Sequence, residues 1–191
     1  LLLVLGGDGT FISVARRAHA AGLPLLGLNM GHVGFWTELT RDNWELGLSA
    51  LLAHGLRIVP RLLLAFTVKR AGGLVHSGFA VNELTVGRGA LARLVRLSLF
   101  AGGEHISSLR ADGIIVSTPT GSTAYCVSAG GPILHHELSA YCVTPVCPFL
   151  NDFRPLVLPS DVGLSIRVEE STGEVCLTED GKKLVQSITK E

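Results

Sequence analysis

The chain opens on an unbroken apolar run, Leu1–Leu5, followed at once by Gly6-Gly7-Asp8-Gly9-Thr10. A run this short, bounded by glycine, reads as a strand covered on both faces, as in a parallel sheet. Phe11–Ala21 then reads as a helix stopped by Gly22 and Pro24, and Leu23–Asn29 as a second apolar strand. Strand, helix, strand is a βαβ unit. Arg41–His54 has helical spacing, with Trp44, Leu48, Leu51 and Leu52 inward, Thr40 as the cap and Gly55 as the stop.

After Gly55 the period changes. Leu56–Arg70 and Leu74–Gly87 alternate like strands around a turn at Ala71-Gly72-Gly73, and Leu91–Ala101 and Glu104–Leu109 form a second pair around Gly102-Gly103. Shorter apolar runs follow at Tyr141–Val146, Leu156–Leu158, Val162–Val168 and Glu174–Thr178. Many short strands with turn signals indicate a β-sandwich-like region. The expected fold class is therefore α/β plus all-β: a parallel α/β domain over residues 1–58 and a β-sandwich-like domain over 59–191. The chain starts inside a strand without an initiator Met, so a preceding segment is expected and the first domain is read as truncated.

Composition narrows the function classes. Lys+Arg and Asp+Glu are both 16, which removes a general electrostatic case for nucleic acid or an anionic membrane. Leu1–Leu5 is too short to span a bilayer and lacks the basic flank of a signal peptide. The four cysteines, Cys126, Cys142, Cys147 and Cys176, have no C-x-x-C spacing and read as reduced, mostly buried thiols of a cytoplasmic protein. His135 and His136 are adjacent, not at zinc-ligand spacing, and no metal site built by the protein alone is expected.

Three stretches carry candidate chemistry. In the first, Gly6, Gly7 and Gly9 let the backbone approach a ligand and turn its amides inward as a phosphate nest, with Thr10 alongside. Asp8 in its middle suits a hydroxyl that must lose a proton or a metal-bound phosphate that must be held; a tight turn whose Asp bonds its own backbone is the other reading. Neither G-x-x-x-x-G-K-[ST] nor G-x-G-x-x-G is present. In the next loop, Gly31–Trp36, Trp36 reads as core, whereas Phe35 could wall an aromatic base or pack inside.

The second stretch is Asp112–Pro132, read as strand, polar bend, and a helix over Ser122–Ala129 capped by Ser122 or Thr123. Free amides at that helix start would favour an anion or a sugar hydroxyl, and Ser117, Thr118, Thr120, Ser122, Thr123 and Ser128 add hydroxyls. Tyr125 offers a flat face. The third stretch is Asn82-Glu83, which interrupts an apolar strand so that one of the two polar side chains faces inward. Arg93, Arg96 and Arg110 are scattered along strands, and Arg110 lies at the mouth of the central loop. Asp180-Gly181-Lys182 by itself is a turn.

G-G-D-G-T at 6–10, Asn82-Glu83, and D-G-I-I-V-S-T-P-T-G-S-T-A-Y at 112–125 together make the chain resemble the NAD kinases, in order and over nearly its whole length. The resemblance implies an α/β domain followed by a β-sandwich domain, and phosphoryl transfer from ATP or polyphosphate to the adenosine ribose 2′-hydroxyl of NAD, with Mg²⁺ accompanying the donor. It implies that Asp8 is the catalytic residue with Gly9 beside it. Asn82 and Glu83 would contact NAD, and Asp112, Thr123, Ala124, Tyr125 and Ser128 would line its pocket. Phe35, Arg93, Arg110 and Asp180 complete the implied NAD set, and one of the arginines can reach in from a neighbouring subunit, so a homodimer or homotetramer is implied. Lys182 stands where the family usually has the Gln of Asp-Gly-Gln, and Trp36 where an aliphatic residue is usual. A lipid kinase with the same glycine nest, or a dinucleotide sensor without turnover, are the alternative readings.

Overall fold

A computed structural model of the chain describes residues 1–31, 34–55, 57–89, 93–150, 153–170 and 173–185. Expected strand residues Leu56 and Leu91 lie outside that set. The chain divides into two units, Leu1–Pro60 and Arg61–Glu191, where the change of pattern placed the boundary at residue 58.

In the first unit, β1 (Leu2–Leu5), β2 (Leu25–Asn29) and β3 (Leu39–Thr40) pair in that order as a parallel sheet. Helix α1 (Asp8–Ala20) joins β1 to β2. It starts earlier than the apolar spacing suggests because Gly7, in extended backbone, serves as its N-cap and Asp8 meets the positive end of the helix dipole. It closes with paired bonds from Gly22 N–H to His19 O and from Leu23 N–H to Ala18 O, both 3.0 Å, with Gly22 at φ 63°.

Helix α2 (Trp44–His54) packs Leu48 and Leu51 on Leu26, Leu28 and Leu39. Gly47 lets it rest on Leu39, whose side chain fills the space a Cβ would take. Trp44 and Leu52, expected inward, are 41% and 89% exposed, because the face turned to the sheet is the narrower one around Gly47, Leu48 and Leu51. Asn43, not Thr40, stands at the cap, and its Oδ1 accepts from Thr40 N–H at 2.7 Å. β1 is not covered on both faces either. Leu3 and Leu5 share the face of their partners Leu26 and Leu28, yet at the sheet edge they lie beyond the leucines of α2 and are exposed.

The second unit is antiparallel. Its strands are β4 (Leu64–Arg70), β5 (Gly73–Ala80), β6 (Glu83–Arg88), β7 (Val95–Ala101), β8 (Glu104–Ala111), β9 (Gly113–Ser117), β10 (Ala140–Val146), β11 (Leu156–Pro159), β12 (Leu164–Glu170), β13 (Val175–Glu179) and β14 (Lys182–Val185). They form a six-stranded sheet, β11-β10-β9-β6-β13-β14, a three-stranded sheet, β12-β7-β8, and the hairpin β4-β5. Val95, Leu97, Leu99, Leu109 and Ala111 of the smaller sheet meet Ile114, Val116, Tyr141, Val143 and Val175 of the larger one, which is the core of a sandwich.

The stretch expected as one strand, Leu74–Gly87, breaks at Val81-Asn82: β5 pairs with β4, and β6 crosses to pair with β9 and β13. In place of a helix over Ser122–Ala129 there is a single 3₁₀ turn, Thr120–Thr123, and a four-residue helix α3, Tyr125–Ser128, neither with a side-chain cap. The hydroxyls near the start of that segment tie the turn to itself: Thr118 Oγ1 accepts from Gly121 N–H, and Ser122 Oγ and Thr123 Oγ1 donate to Pro119 O and Thr120 O.

Leu99 is fully buried between the two sheets. Leu99→Ala should cost about 2–5 kcal/mol, read as a lower denaturant midpoint at unchanged slope, whereas Leu3→Ala should stay within about 0.5 kcal/mol.

Candidate functional site

The glycine loop places Asp8 at the carboxyl end of β1, the side of a parallel sheet where ligands sit. Its carboxylate is held by the loop that follows β2: Oδ2 accepts from Phe35 N–H at 2.8 Å and Oδ1 from Trp36 N–H at 3.0 Å. Gly34 is required there, since a Cβ at that position would occupy the space of the Asp8 carboxylate. The loop is fixed at its root by buried Asn29, whose Oδ1 accepts from Gly31 N–H at 2.8 Å and whose Nδ2 donates to Thr37 Oγ1 at 3.0 Å. Trp36 stacks on Phe11 at 5.3 Å, the core role expected of it, while Phe35 is 66% exposed.

In the nest, Gly6 N–H donates to Leu28 O at 3.0 Å and Thr10 N–H to Gly7 O at 3.0 Å, so these two amides are spent. Gly6 serves by shape, because a Cβ there would come within 2.7 Å of Thr10 Oγ1. The amides of Gly7, Asp8 and Gly9 precede the first intrahelical donor of α1 and are the ones a helix start turns toward an anion.

In the second unit the bend at Val81–Glu83 is gripped from two sides. Thr118 N–H donates to Asn82 O at 2.8 Å, and Thr118 Oγ1 donates to Val81 O at 2.8 Å and accepts from Gly121 N–H at 2.9 Å. From the β13–β14 turn, Asp180 Oδ1 accepts from the amides of Val81, Asn82 and Glu83 at 3.1, 2.7 and 3.2 Å. Ser122 Oγ donates to Pro119 O at 2.6 Å and accepts from Leu134 N–H at 2.9 Å, which closes the other end of the turn.

This frame leaves Asn82 Oδ1 and Glu83 Oε2 buried without a hydrogen-bond partner, and buried Ser117 Oγ with only the Cys126 sulfur beside it. Glu83 faces Ser117 in the β6–β9 register, and Asn82 precedes Glu83 at the bend. Buried polar atoms are rarely left unpaired, and such atoms are what a polar ligand would satisfy. Burial pushes the Glu83 carboxyl up to about 7; the Asp180 charge and the Cys126 sulfur push the same way, and the Tyr125 amide, donating to it, pulls against them. Thr123 and Ser128 are exposed, Ala124 is half-buried and Tyr125 is 47% exposed along the turn and α3 beside this group.

Within the chain Arg110 and Asp112 are not brought to Glu83. Asp112 immediately precedes β9 and Ser117, the partner of Glu83, ends it, a separation of about 16 Å for extended chain. Asp112 Oδ1 instead pairs with Arg88 Nε at 2.6 Å, and the Arg110 guanidinium lies over the Phe149 ring at 5.7 Å. Arg93 is exposed ahead of β7. Sequence reasoning missed Asn29, Gly34 and Arg88. It also missed the Thr144 hydroxyl behind α3, which lies 3.3 Å from both Cys126 Sγ and Cys142 Sγ, all three fully buried. Gly34 carried the one usable signal, a glycine in a loop leaving the carboxyl end of a strand.

The chain thus joins a parallel α/β unit with an Asp-bearing glycine loop to an antiparallel sandwich that buries unpaired polar atoms. Residues 1–56 match the ATP-NAD kinase N-terminal domain and residues 81–190 the ATP-NAD kinase C-terminal domain. The chain is 54% identical over 96% of its length to the NAD kinase of Nitratidesulfovibrio vulgaris strain Miyazaki F, and 42% identical over 95% to that of Geobacter metallireducens. It spans 65% and 64% of those two proteins, somewhat under two thirds of each. Among solved structures, yeast NADH kinase complexed with NADH superposes at TM-score 0.90 with 30% identity, covering 99% of this chain and 55% of the yeast chain. An NAD kinase from Archaeoglobus fulgidus in complex with ATP superposes at 0.78 with 26% identity, covering 96% of this chain and 69% of that one. The chain belongs to the NAD kinase family.

Glu83 binds its proton up to about pH 7 when folded and up to about 4.5 when unfolded. The folded state therefore holds more protons between those values. The stability this confers is complete below about pH 4.5 and is lost as pH rises through about 7. Glu83→Gln should flatten the curve of melting temperature against pH across that window and melt higher than the parent above it. Parallel curves for the two proteins would show that Glu83 does not titrate there.

Proposed function

We propose that the protein is an NAD kinase, transferring a phosphoryl group from ATP or polyphosphate to the adenosine ribose 2′-hydroxyl of NAD to give NADP. The observation that carries this reading is the pair of consecutive residues with buried oxygens that lack a partner, Asn82 Oδ1 and Glu83 Oε2, in a fold shared with a kinase solved with NADH. Sugar hydroxyls and a carboxamide N–H₂ are the donors such a group would take. Tyr125 supplies a flat surface at its rim, and exposed Phe35 remains available to a base in the first unit.

Each Asp8 oxygen accepts one amide and keeps a further lone pair. The two bonds stop the carboxylate rotating, so it can orient the 2′-hydroxyl and take its proton as the O2′–P bond forms and the bond from phosphorus to the leaving oxygen breaks. The amides of Gly7, Asp8 and Gly9 would hold donor phosphate at the start of α1. The chemistry is then largely positioning and charge neutralisation.

Mg²⁺ fits as an ion carried by the donor. Among the described residues no three His, Cys, Asp or Glu converge to cage a metal, and Mg²⁺ is commonly held by substrate phosphates and one or two carboxylates, a place Asp8 can fill. When bound it would neutralise phosphate charge. The proposal includes a cytoplasmic homodimer or homotetramer. It is supported by the four free cysteines and by the place of Arg110 over the Phe149 ring, on a strand that does not pair with β6.

NADP formation from NAD, assayed separately with ATP and with polyphosphate, tests the reading. Asp8→Asn should lower turnover by about 10²–10⁴-fold while leaving the dissociation constant for NAD nearly unchanged. Near-normal turnover in that variant would refute the role given to Asp8, and failure of the parent protein to form NADP with either donor would refute the activity.

A further inference from the structure

We propose that Asp180 is a positioning residue: from the β13–β14 turn it sets where Asn82 and Glu83 point, and so sets the affinity for the ligand they hold. The inference rests on the reading of their crevice as the NAD site.

Asp180 and Gly181 are the two residues of a hairpin loop whose flanking pair is Glu179 and Lys182, and both have positive φ, 48° and 74°. That is the loop type suited to the right-handed twist of the flanking strands, and Asp followed by Gly is among its preferred pairs. Because β13 pairs with β6 through Glu179 and Leu84, the loop overhangs the bend where β5 gives way to β6. Val81 and Asn82 lie between strands, so no ladder supplies acceptors for their amides.

The Asp180 carboxylate supplies them. Oδ1 takes three amides in a row, and Oδ2 takes Val81 N–H again at 3.1 Å. The link is reciprocal, since Asp180 N–H donates to Glu83 O at 3.0 Å. Oδ1, engaged by three N–H groups, has no lone pair left for a ligand, and Oδ2 is turned to Val81 N–H. Asp180 is thus assigned to the backbone it holds, whereas the family resemblance implied a contact with NAD itself.

The groups facing Glu83 are few. Asp180 stands on the hairpin side, Cys126 and the Tyr125 amide on the α3 side, and Ser117 on β9. Asp180 thus has a second effect, since its charge helps Glu83 keep its proton. Asp180→Asn retains one acceptor oxygen and removes that charge, which separates the variant from a purely structural lesion.

Calorimetric titration of the purified protein with NAD, at pH values on either side of 7, tests this with the parent, Asp180→Asn and Asp180→Ala. Asp180→Asn should weaken NAD binding about tenfold, the scale of a withdrawn charge-assisted acceptor, and should flatten the pH dependence of melting that Glu83 produces. Amide exchange at residues 81–83 should quicken without ligand, while β7 and β8 remain as protected as in the parent. In a Glu83→Gln background, Asp180→Asn should no longer alter the pH dependence. Should Asp180→Ala fail to fold, Asp180→Asn alone decides. Quickened exchange with unchanged affinity would overturn the proposal, and so would unchanged exchange. A parent protein that does not bind NAD would instead overturn the underlying reading and this inference with it.

Discussion

Two backbones pass in direct contact at Asn82 and Gly121, and the crevice of the second unit depends on that crossing. A Cβ on Gly121 would occupy the space of the Asn82 backbone, so the residue there has to be glycine. The contact presses the 118–121 turn onto the bend, where Thr118 binds both Val81 and Asn82. Ser117 and Glu83 are buried beside it. Each buried group without a partner costs roughly 1–3 kcal/mol. The sandwich core, with ten fully or nearly fully buried apolar residues drawn from both sheets, is the reservoir that offsets this cost.

The first unit solves a similar problem with a different device. Its key carboxylate is half-buried and fully engaged on one side, because the loop from Gly34 to Trp36 wraps it with amides. Asn29, at the end of β2, holds that loop by both ends of its side-chain amide. In both units an acidic side chain and a neighbouring backbone fix one another. In the first the carboxylate is held by the amides of a loop; in the second the carboxylate holds the amides of a bend.

Much of this was legible in the sequence where the signal is local. The apolar runs flanking Gly6–Thr10 gave away β1 and α1, and the paired glycines at 72–73 and 102–103 marked hairpins, because periodicity and turn chemistry act within a few residues. The three motifs carried the family. What stayed hidden was set at long range. Nothing near Asp180 distinguishes a free turn residue from a clamp, since its partners are on another strand. The burial of Thr118 and Ser122 turned their hydroxyls inward as staples, while the surface-like composition of 117–128 suggested an open ligand-facing row. β1 looked buried on both faces because an apolar run reports what its side chains favour, not whether a neighbour at the sheet edge reaches them.

The clamp has a consequence for biosynthesis. Asp180 lies 99, 98 and 97 residues after the three amides it holds. At ordinary translation speeds of about 5–20 residues per second, the bend waits several seconds after leaving the ribosome before its acceptor emerges. β13 arrives at the same late moment, so until then one hydrogen-bonding edge of β6 is open on the nascent chain, where a stray strand can pair with it. The bend thus settles only long after its own residues are made, and over that interval a translating cell has reason to station a chaperone there.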